Sequence, residues 1–239
     1  MVVADPAAEL VGLVRALGDP APAAAPAEVA ARARLVRRRF GLSLPPPFAG
    51  PADAATPVRP AVAADGAAIA SVKYRVFGTT YRGILPDAFL DARDVVPPVA
   101  FWVGRAMVPP SRRHRLLAWG RPGEVLGYVD SGPAREGEPG AAAGSAAVGE
   151  VYELYVDPAA QGLGGGRRLL AAAEEALAAA GFVALELSVL RDNHAARGFY
   201  GAMGWHDTGV VDHVDLGVVA FDELRLRKDV GGARTGAAP

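Results

Sequence analysis

The sequence predicts an α/β fold preceded by a helical N-terminal extension, and three observations carry that prediction. From Val58 onward, segments with strand and helix patterning alternate in the order βααβββαβαββ. The strongest strand pattern, Val148 to Val156, runs into a glycine-rich turn and then into a helix pattern. The chain has 239 residues, of which Gly (29) and Pro (20) make about a fifth, against an average of roughly 12%. That excess is expected to gather in connecting segments. The patterned part spans about 170 residues, a normal size for one domain.

Residues 1–56 read as an extension. Asp5 and Pro6 start a helix as N-cap and first helical residue, with Leu10, Val11, Leu13, Val14 and Leu17 on one face. A Pro/Ala linker follows. A second helix is expected from Ala27 to Phe40, carrying Arg32, Arg34, Arg37, Arg38 and Arg39 beside a buried stripe of Leu35, Val36 and Phe40. The arginines read as a solvated face, with an acidic partner or nucleic acid as the alternative. The domain proper is expected at 57–230 and a flexible tail at 231–239. The Pro-rich joins look like linkers, so residues 1–50 are expected to be dispensable for chemistry.

Within the domain, Val58 to Ala63 is a short strand. Asp65 caps a helix in which Ile69, Val72 and Val76 recur at helical spacing. Leu85-Pro86-Asp87 starts another helix. Two proline pairs, Pro97-Pro98 and Pro109-Pro110, bracket a short helix around Phe101 and Trp102. Arg115 to Trp119 and Val125 to Val129 form a hairpin across Gly120-Arg121-Pro122-Gly123. Residues 131–147 read as a mobile loop. After Val148 to Val156 and the glycine loop, a helix is expected from Arg167 to Ala180, with Gly181 ending it. Phe182 to Leu190 alternates as a strand. Asn193 opens a helix to Met203, and Trp205–His213 and Val218–Arg227 close the domain as a hairpin turning at Asp215-Leu216-Gly217.

Composition excludes several classes. Hydrophobic residues are 51% and charged residues 21%, enough apolar material for a core. The net charge of −1 argues against a chain built to coat nucleic acid or an anionic membrane. Cysteine is absent, which removes disulfides, zinc–thiolate sites and cysteine nucleophiles and fits a reducing compartment. Asp5 and Glu9 stand where a secretory signal would be positive, and no stretch suggests a membrane span, so a cytoplasmic protein is expected. The histidines His114, His194, His206 and His213 lack metal-ligand spacing, and no metal site is expected.

The segment from Val148 to Arg168 carries the most chemistry. Glycines at 162, 164, 165 and 166 let the backbone approach a ligand and present unpaired N–H groups at a helix start, an arrangement that receives phosphate oxygens. Gly-Lys-Ser/Thr is missing, which rules out a nucleoside-triphosphate loop. A dinucleotide fingerprint started at Gly162 or Gly164 would end on Arg167 or Leu169, so that fails too. What matches is Q-x-x-G-x-G, as Gln161, Gly164 and Gly166.

Here the sequence resembles the GNAT superfamily of acyl-CoA-dependent N-acetyltransferases, over about residues 57–228. Four elements carry the resemblance in order: Val58-Arg59-Pro60-Ala61 before a helix; Tyr81 to Asp87; Leu154-Tyr155-Val156-Asp157-Pro158 leading into Gln161, Gly164 and Gly166; and Asn193 through Phe199-Tyr200 to Gly204-Trp205. The resemblance implies a mixed central β-sheet flanked by helices and acetyl-CoA as co-substrate. It implies a pantetheine arm along Leu154, Tyr155 and Val156, and a pyrophosphate on the N–H groups of Gln161, Gly162, Leu163, Gly164, Gly165 and Gly166; by their charge, Arg167 and Arg168 are expected at the rim of such a site. It also implies that Asn193 contacts the pantetheine arm and that the Tyr200 hydroxyl faces the thiolate.

Acetyl transfer to an amine poses two proton problems. An alkylamine is mostly protonated at neutral pH and must lose a proton, and the departing thiolate must gain one. Tyr200 is the expected acid. For the base, Glu150 aligns with the glutamate used by some relatives, Glu153 is second and Glu186 third. Alternation along a strand puts Glu150 and Glu153 on opposite faces unless a bulge intervenes, as it often does on this strand in the family. A water chain is the alternative. The expected function is N-acetylation of a primary amine, on a small molecule or a peptide, by direct attack in a ternary complex. The alternative is a non-catalytic acyl-CoA-binding sensor module. A homodimer is a possible assembly. Val95 to Ser111, with its proline pairs and Trp102, departs from common relatives.

Overall fold

The computed structural model describes residues 56–92, 99–107, 114–135 and 148–230. The two helices expected before residue 56, most of the 131–147 loop and the 231–239 tail lie outside the described residues. The strands are β1 (Val58–Pro60), β2 (Arg115–Arg121), β3 (Glu124–Pro133), β4 (Val148–Val156), β5 (Ala184–Leu190), β6 (His206–Asp215) and β7 (Ala220–Asp229). The helices are α1 (Gly66–Thr80), α2 (Asp87–Ala92), α3 (Val99–Met107), α4 (Gly165–Ala179) and α5 (His194–Ala202). The strands form one sheet in the order β1-β2-β3-β4-β5-β7-β6, mixed because only β4 and β5 run parallel.

The helices lie on both faces. On one, Leu169, Leu170, Ala173 and Leu177 of α4 bury against Trp119, Leu126, Val129 and Leu185. Phe199, Tyr200 and Met203, at the end of the domain's last helix, pack on the same cluster. On the other, Ile69, Val72 and Val76 of α1 meet Trp102 of α3 and Ala118 and Tyr128 of the sheet. The helical spacing of α1's apolar residues is what makes this face continuous. A Cβ on Gly66 would come within 2.5 Å of Val103 Cγ2, so glycine there lets α3 approach α1.

The structure corrects several expectations. The three helices expected before β2 are all present, one more than the order βααβββαβαββ counts. Asp65 stands at the N-cap of α1, as expected, but its side chain makes no cap bond to that helix. It is fully buried and accepts bonds from Arg59 (2.8 and 2.9 Å) and from the backbone N–H of Val62 and Gly123 (2.8 Å each). Burial alone would raise its carboxyl pKa, but these donors outweigh it and hold the group below the usual range. Strand β3 continues to Pro133 because β4 pairs with it that far. Helix α4 begins at Gly165, two residues early, since Gly164 turns the chain at φ 80° as its N-cap. Strand β5 begins at Ala184, because the Phe182 N–H turns back to the Leu177 carbonyl. The last hairpin sits about two residues later than expected at its second strand. Among the described residues no helix is long and apolar enough to cross a membrane.

Candidate active site

Strand β4 changes character along its length. Val148, Gly149 and Glu150 pair with Ala184, Leu185 and Glu186 of β5, and there the pairing stops. Beyond Glu150 the two strands diverge, β5 keeping β7 on its other edge and β4 keeping β3. The β4 edge from residue 151 to 156 therefore faces a split in the sheet, with its peptide groups outside any ladder. Leu154 and Val156 pack on the α4 side, whereas Tyr155 packs on the α1 side.

The split leads to the glycine loop. Gly162 and Gly164 both adopt φ 80°, and a Cβ on either would meet nothing within 4 Å. The N–H groups from Gly162 to Arg167 donate no hydrogen bond among the described residues. They lie at the positive end of α4. Gly165 is required for a different reason: a Cβ there would sit 2.1 Å from the Trp119 ring. Gln161 turns its amide back to the Val156 carbonyl at 3.2 Å, Leu163 is exposed, and Arg167 points to solvent. These residues fit an elongated ligand with a pyrophosphate: open backbone at the loop and a free strand edge leading away from it.

Asn193 caps α5, its side chain accepting from the Ala196 N–H at 3.1 Å. Its amide nitrogen has no hydrogen-bond partner among the described residues. Tyr200 lies on α5 against Phe199 and Trp205, with ring centroids 5.2 and 6.1 Å away. Its hydroxyl has no hydrogen-bond partner among the described residues. Burial, and secondarily Tyr81, pushes the phenol well above its ordinary value, so it stays protonated at neutral pH and able to donate. The Tyr81 hydroxyl in turn lies 3.4 Å from that of Tyr155.

The two leading carboxylates fall on one face. Gly132 pairs with Glu150 and Ser131 with Val151, but Asp130 pairs with Glu153, leaving Tyr152 as an extra residue in β4. This bulge cancels the alternation that would separate Glu150 and Glu153. Their surroundings differ. Glu150 accepts from the Arg135 N–H and Nε, both at 3.0 Å, and from Arg135 Nη2, and its side chain is 9% exposed. Glu153 is held by Lys73 Nζ at one oxygen and the Tyr128 hydroxyl (2.7 Å) at the other, with its side chain 24% exposed. Glu186 is the ladder partner of Glu150 at the last paired position of β4 and β5, and it pairs with Arg227 at 2.8 Å and Arg225 at 3.7 Å.

Lys73, Tyr128 and Arg135 were missed by the sequence reading. One signal was present for Lys73: it stands between Val72 and Val76 on the buried stripe of α1, where an unpaired ammonium is costly. Asp130, beside Glu153, pairs with Arg105 of α3 at 2.6 Å. Burial pushes the Asp130 carboxyl up to about 6, the Arg105 guanidinium opposing and the Glu153 charge adding to that rise.

Comparison with known proteins identifies the fold and the family. The structure resembles YncA of Salmonella typhimurium, solved with its cofactor acetyl-CoA, at TM-score 0.54 and 22% identity over 77% of this chain and 96% of that one. It also resembles PaiA N-acetyltransferase from Thermoplasma acidophilum, in complex with coenzyme A, at TM-score 0.55 and 17% identity over 72% and 98%. At such identities the likeness is one of fold. Among curated proteins, mycothiol acetyltransferase of Amycolatopsis mediterranei is 43% identical over 90 residues, 37% of this chain and 29% of the relative. That of Beutenbergia cavernae is 44% identical over 73 residues, 30% and 24%. The chain thus matches under a third of these relatives' length. The sequence profile of the acetyltransferase (GNAT) family matches residues 81–205, from Tyr81 through the glycine loop to Trp205. Over half of the sequence lies in that match, and the chain belongs to the GNAT acetyltransferase family.

Proposed function

We propose that the protein transfers acetyl from acetyl-CoA to a primary amine by direct attack in a ternary complex. The observation that carries this reading is the split beside β4. It leads from the open N–H groups at 162–167 along the strand that bears both glutamates, and Tyr200, partly buried on α5, has a hydroxyl with no hydrogen-bond partner among the described residues. Bound there, acetyl-CoA would supply an activated acyl group as a thioester. Gln161 to Gly166 would hold its pyrophosphate, with Arg167 at the rim, and the 154–156 edge and Asn193 its pantetheine arm. The acceptor amine loses a proton to a β4 carboxylate and forms its bond to the acyl carbon as the carbon–sulfur bond breaks. Tyr200 donates its proton to the departing thiolate and is restored from solvent.

The direct test is thiol release from acetyl-CoA with a panel of amines, peptides and aminoglycosides. Turnover with at least one amine, absent without it, is the expected outcome. Saturable CoA binding without acceptor-dependent thiol release across the panel would instead indicate a binding module.

A further inference from the structure

We infer that Lys73 is a positioning residue whose buried ammonium aims Glu153, and that Glu153 rather than Glu150 receives the acceptor's proton. The inference rests on the acetyltransferase reading above. Lys73 is 5% exposed, and its Nζ lies 5.6 Å from the Trp102 ring centroid and 5.9 Å from those of Phe77 and Tyr155. Three rings from α1, α3 and β4 thus surround the ammonium, and its ion-pair partner among the described residues is Glu153. An ammonium in such a site is held in place by the rings and needs a carboxylate beside it. The Tyr128 hydroxyl fixes the other Glu153 oxygen, and that ring is itself buried edge-on against Trp102 at 5.0 Å.

The consequence is a carboxylate locked in one orientation, each oxygen carrying one protein hydrogen bond and keeping a lone pair free. With its side chain 24% exposed, Glu153 remains within reach of an acceptor. Glu150 is the opposite case. Three N–H donors of Arg135 occupy its oxygens, and its side chain is 9% exposed. Two of those donors share Oε1 and one takes Oε2. Proton acceptance needs an accessible lone pair held in a fixed direction, and Glu153 is the more accessible of the two. The trio spans α1, β3 and β4, so the docking of α1 and α3 on the sheet sets the direction of the base.

A double-substitution cycle on the full chain tests this, with kcat read at saturating acetyl-CoA and amine. Lys73→Met keeps the aromatic enclosure filled and removes the charge. It should lower kcat roughly tenfold to a hundredfold, the scale of a misdirected catalytic group, without changing the KM for acetyl-CoA. Glu153→Gln should lower kcat about a hundredfold or more. If Lys73 acts through Glu153, adding Lys73→Met to Glu153→Gln should cost nothing further, because the two residues work as a unit. Multiplicative losses would overturn the inference, as would a larger loss of kcat in Glu150→Gln than in Glu153→Gln. Should Lys73→Met not fold, Tyr128→Phe releases the other oxygen and enters the same cycle with the same criterion. A wild-type chain that acetylates no amine removes the functional reading and this inference with it. An active wild type with a multiplicative cycle removes this inference alone.

Discussion

Residues 148–150 of β4 are paired on both edges, whereas residues 151–156 are paired with β3 alone. The two stretches belong to one strand, carry one glutamate each on the same face, and end in opposite circumstances. In the first, Glu150 is enclosed and spends its oxygens on Arg135. In the second, Glu153 is held by two groups and stays partly exposed. Continuous pairing uses up hydrogen-bonding capacity; where pairing stops, the capacity becomes available to a ligand. The bulge at Tyr152 marks the boundary and turns both carboxylates toward α1. The paired stretch should therefore answer to substitution in stability, and the split stretch in turnover or ligand affinity.

The largest expected effect is on the paired side. Arg135→Met leaves Glu150 buried beside no guanidinium, and breaking such a pair costs roughly 3 kcal/mol or more. Denaturant unfolding should show that loss, with turnover per folded molecule unchanged. A collapse of turnover at intact stability would break the comparison, placing Glu150 in the chemistry.

Next in size is Tyr200→Phe, which keeps the ring packing against Phe199 and Trp205 and removes one proton. Turnover should fall about a hundredfold, the scale of a lost general acid, while CoA affinity holds. An unaffected rate would mean that water protonates the thiolate.

The boundary itself is open to a pH test. Burial raises Asp130 to about 6 in the folded chain, above its unfolded value near 3.9. A raised carboxyl pKa means that the folded state binds the proton more tightly. Its stabilising contribution is thus complete below about pH 4 and is lost as the pH rises through 6, on the order of 3 kcal/mol in all. Unfolding free energies of the wild type and Asp130→Asn, compared over that window, should diverge in slope. Parallel curves would mean that Arg105 neutralises Asp130 throughout.

The smallest effect expected is at the loop. Gly164→Val puts a branched side chain at φ 80°, and the strained loop should lose about tenfold in CoA affinity by calorimetry. An unchanged affinity would remove the pyrophosphate assignment. Gly165→Ala makes a useful contrast, because its Cβ would meet Trp119; there the loss should appear as instability.

The sequence by itself determined the order of elements from Val58, the strand–glycine loop–helix unit, the caps at Asn193 and Gly181, and the family. These are local: each is a pattern of polarity, turn residues or motif spacing within some twenty residues, so short-range physics and family likeness suffice. It also named the residues of the loop and the two β4 glutamates, while leaving open which face each glutamate took. Only the tertiary structure decided that question, because the bulge is a property of the β3–β4 register, and no residue in β4 encodes the register alone. The same holds for the Asp65 side chain, although the sequence placed the residue at the helix N-cap where it stands. Its side chain instead serves Arg59 and Gly123, and Gly123 is 58 positions away. Lys73 and Glu153, 80 positions apart, meet because α1 and α3 dock on the sheet. Contacts of that span depend on how elements pack, and a side chain's partner across a core follows from the packed arrangement and not from its neighbours in the chain.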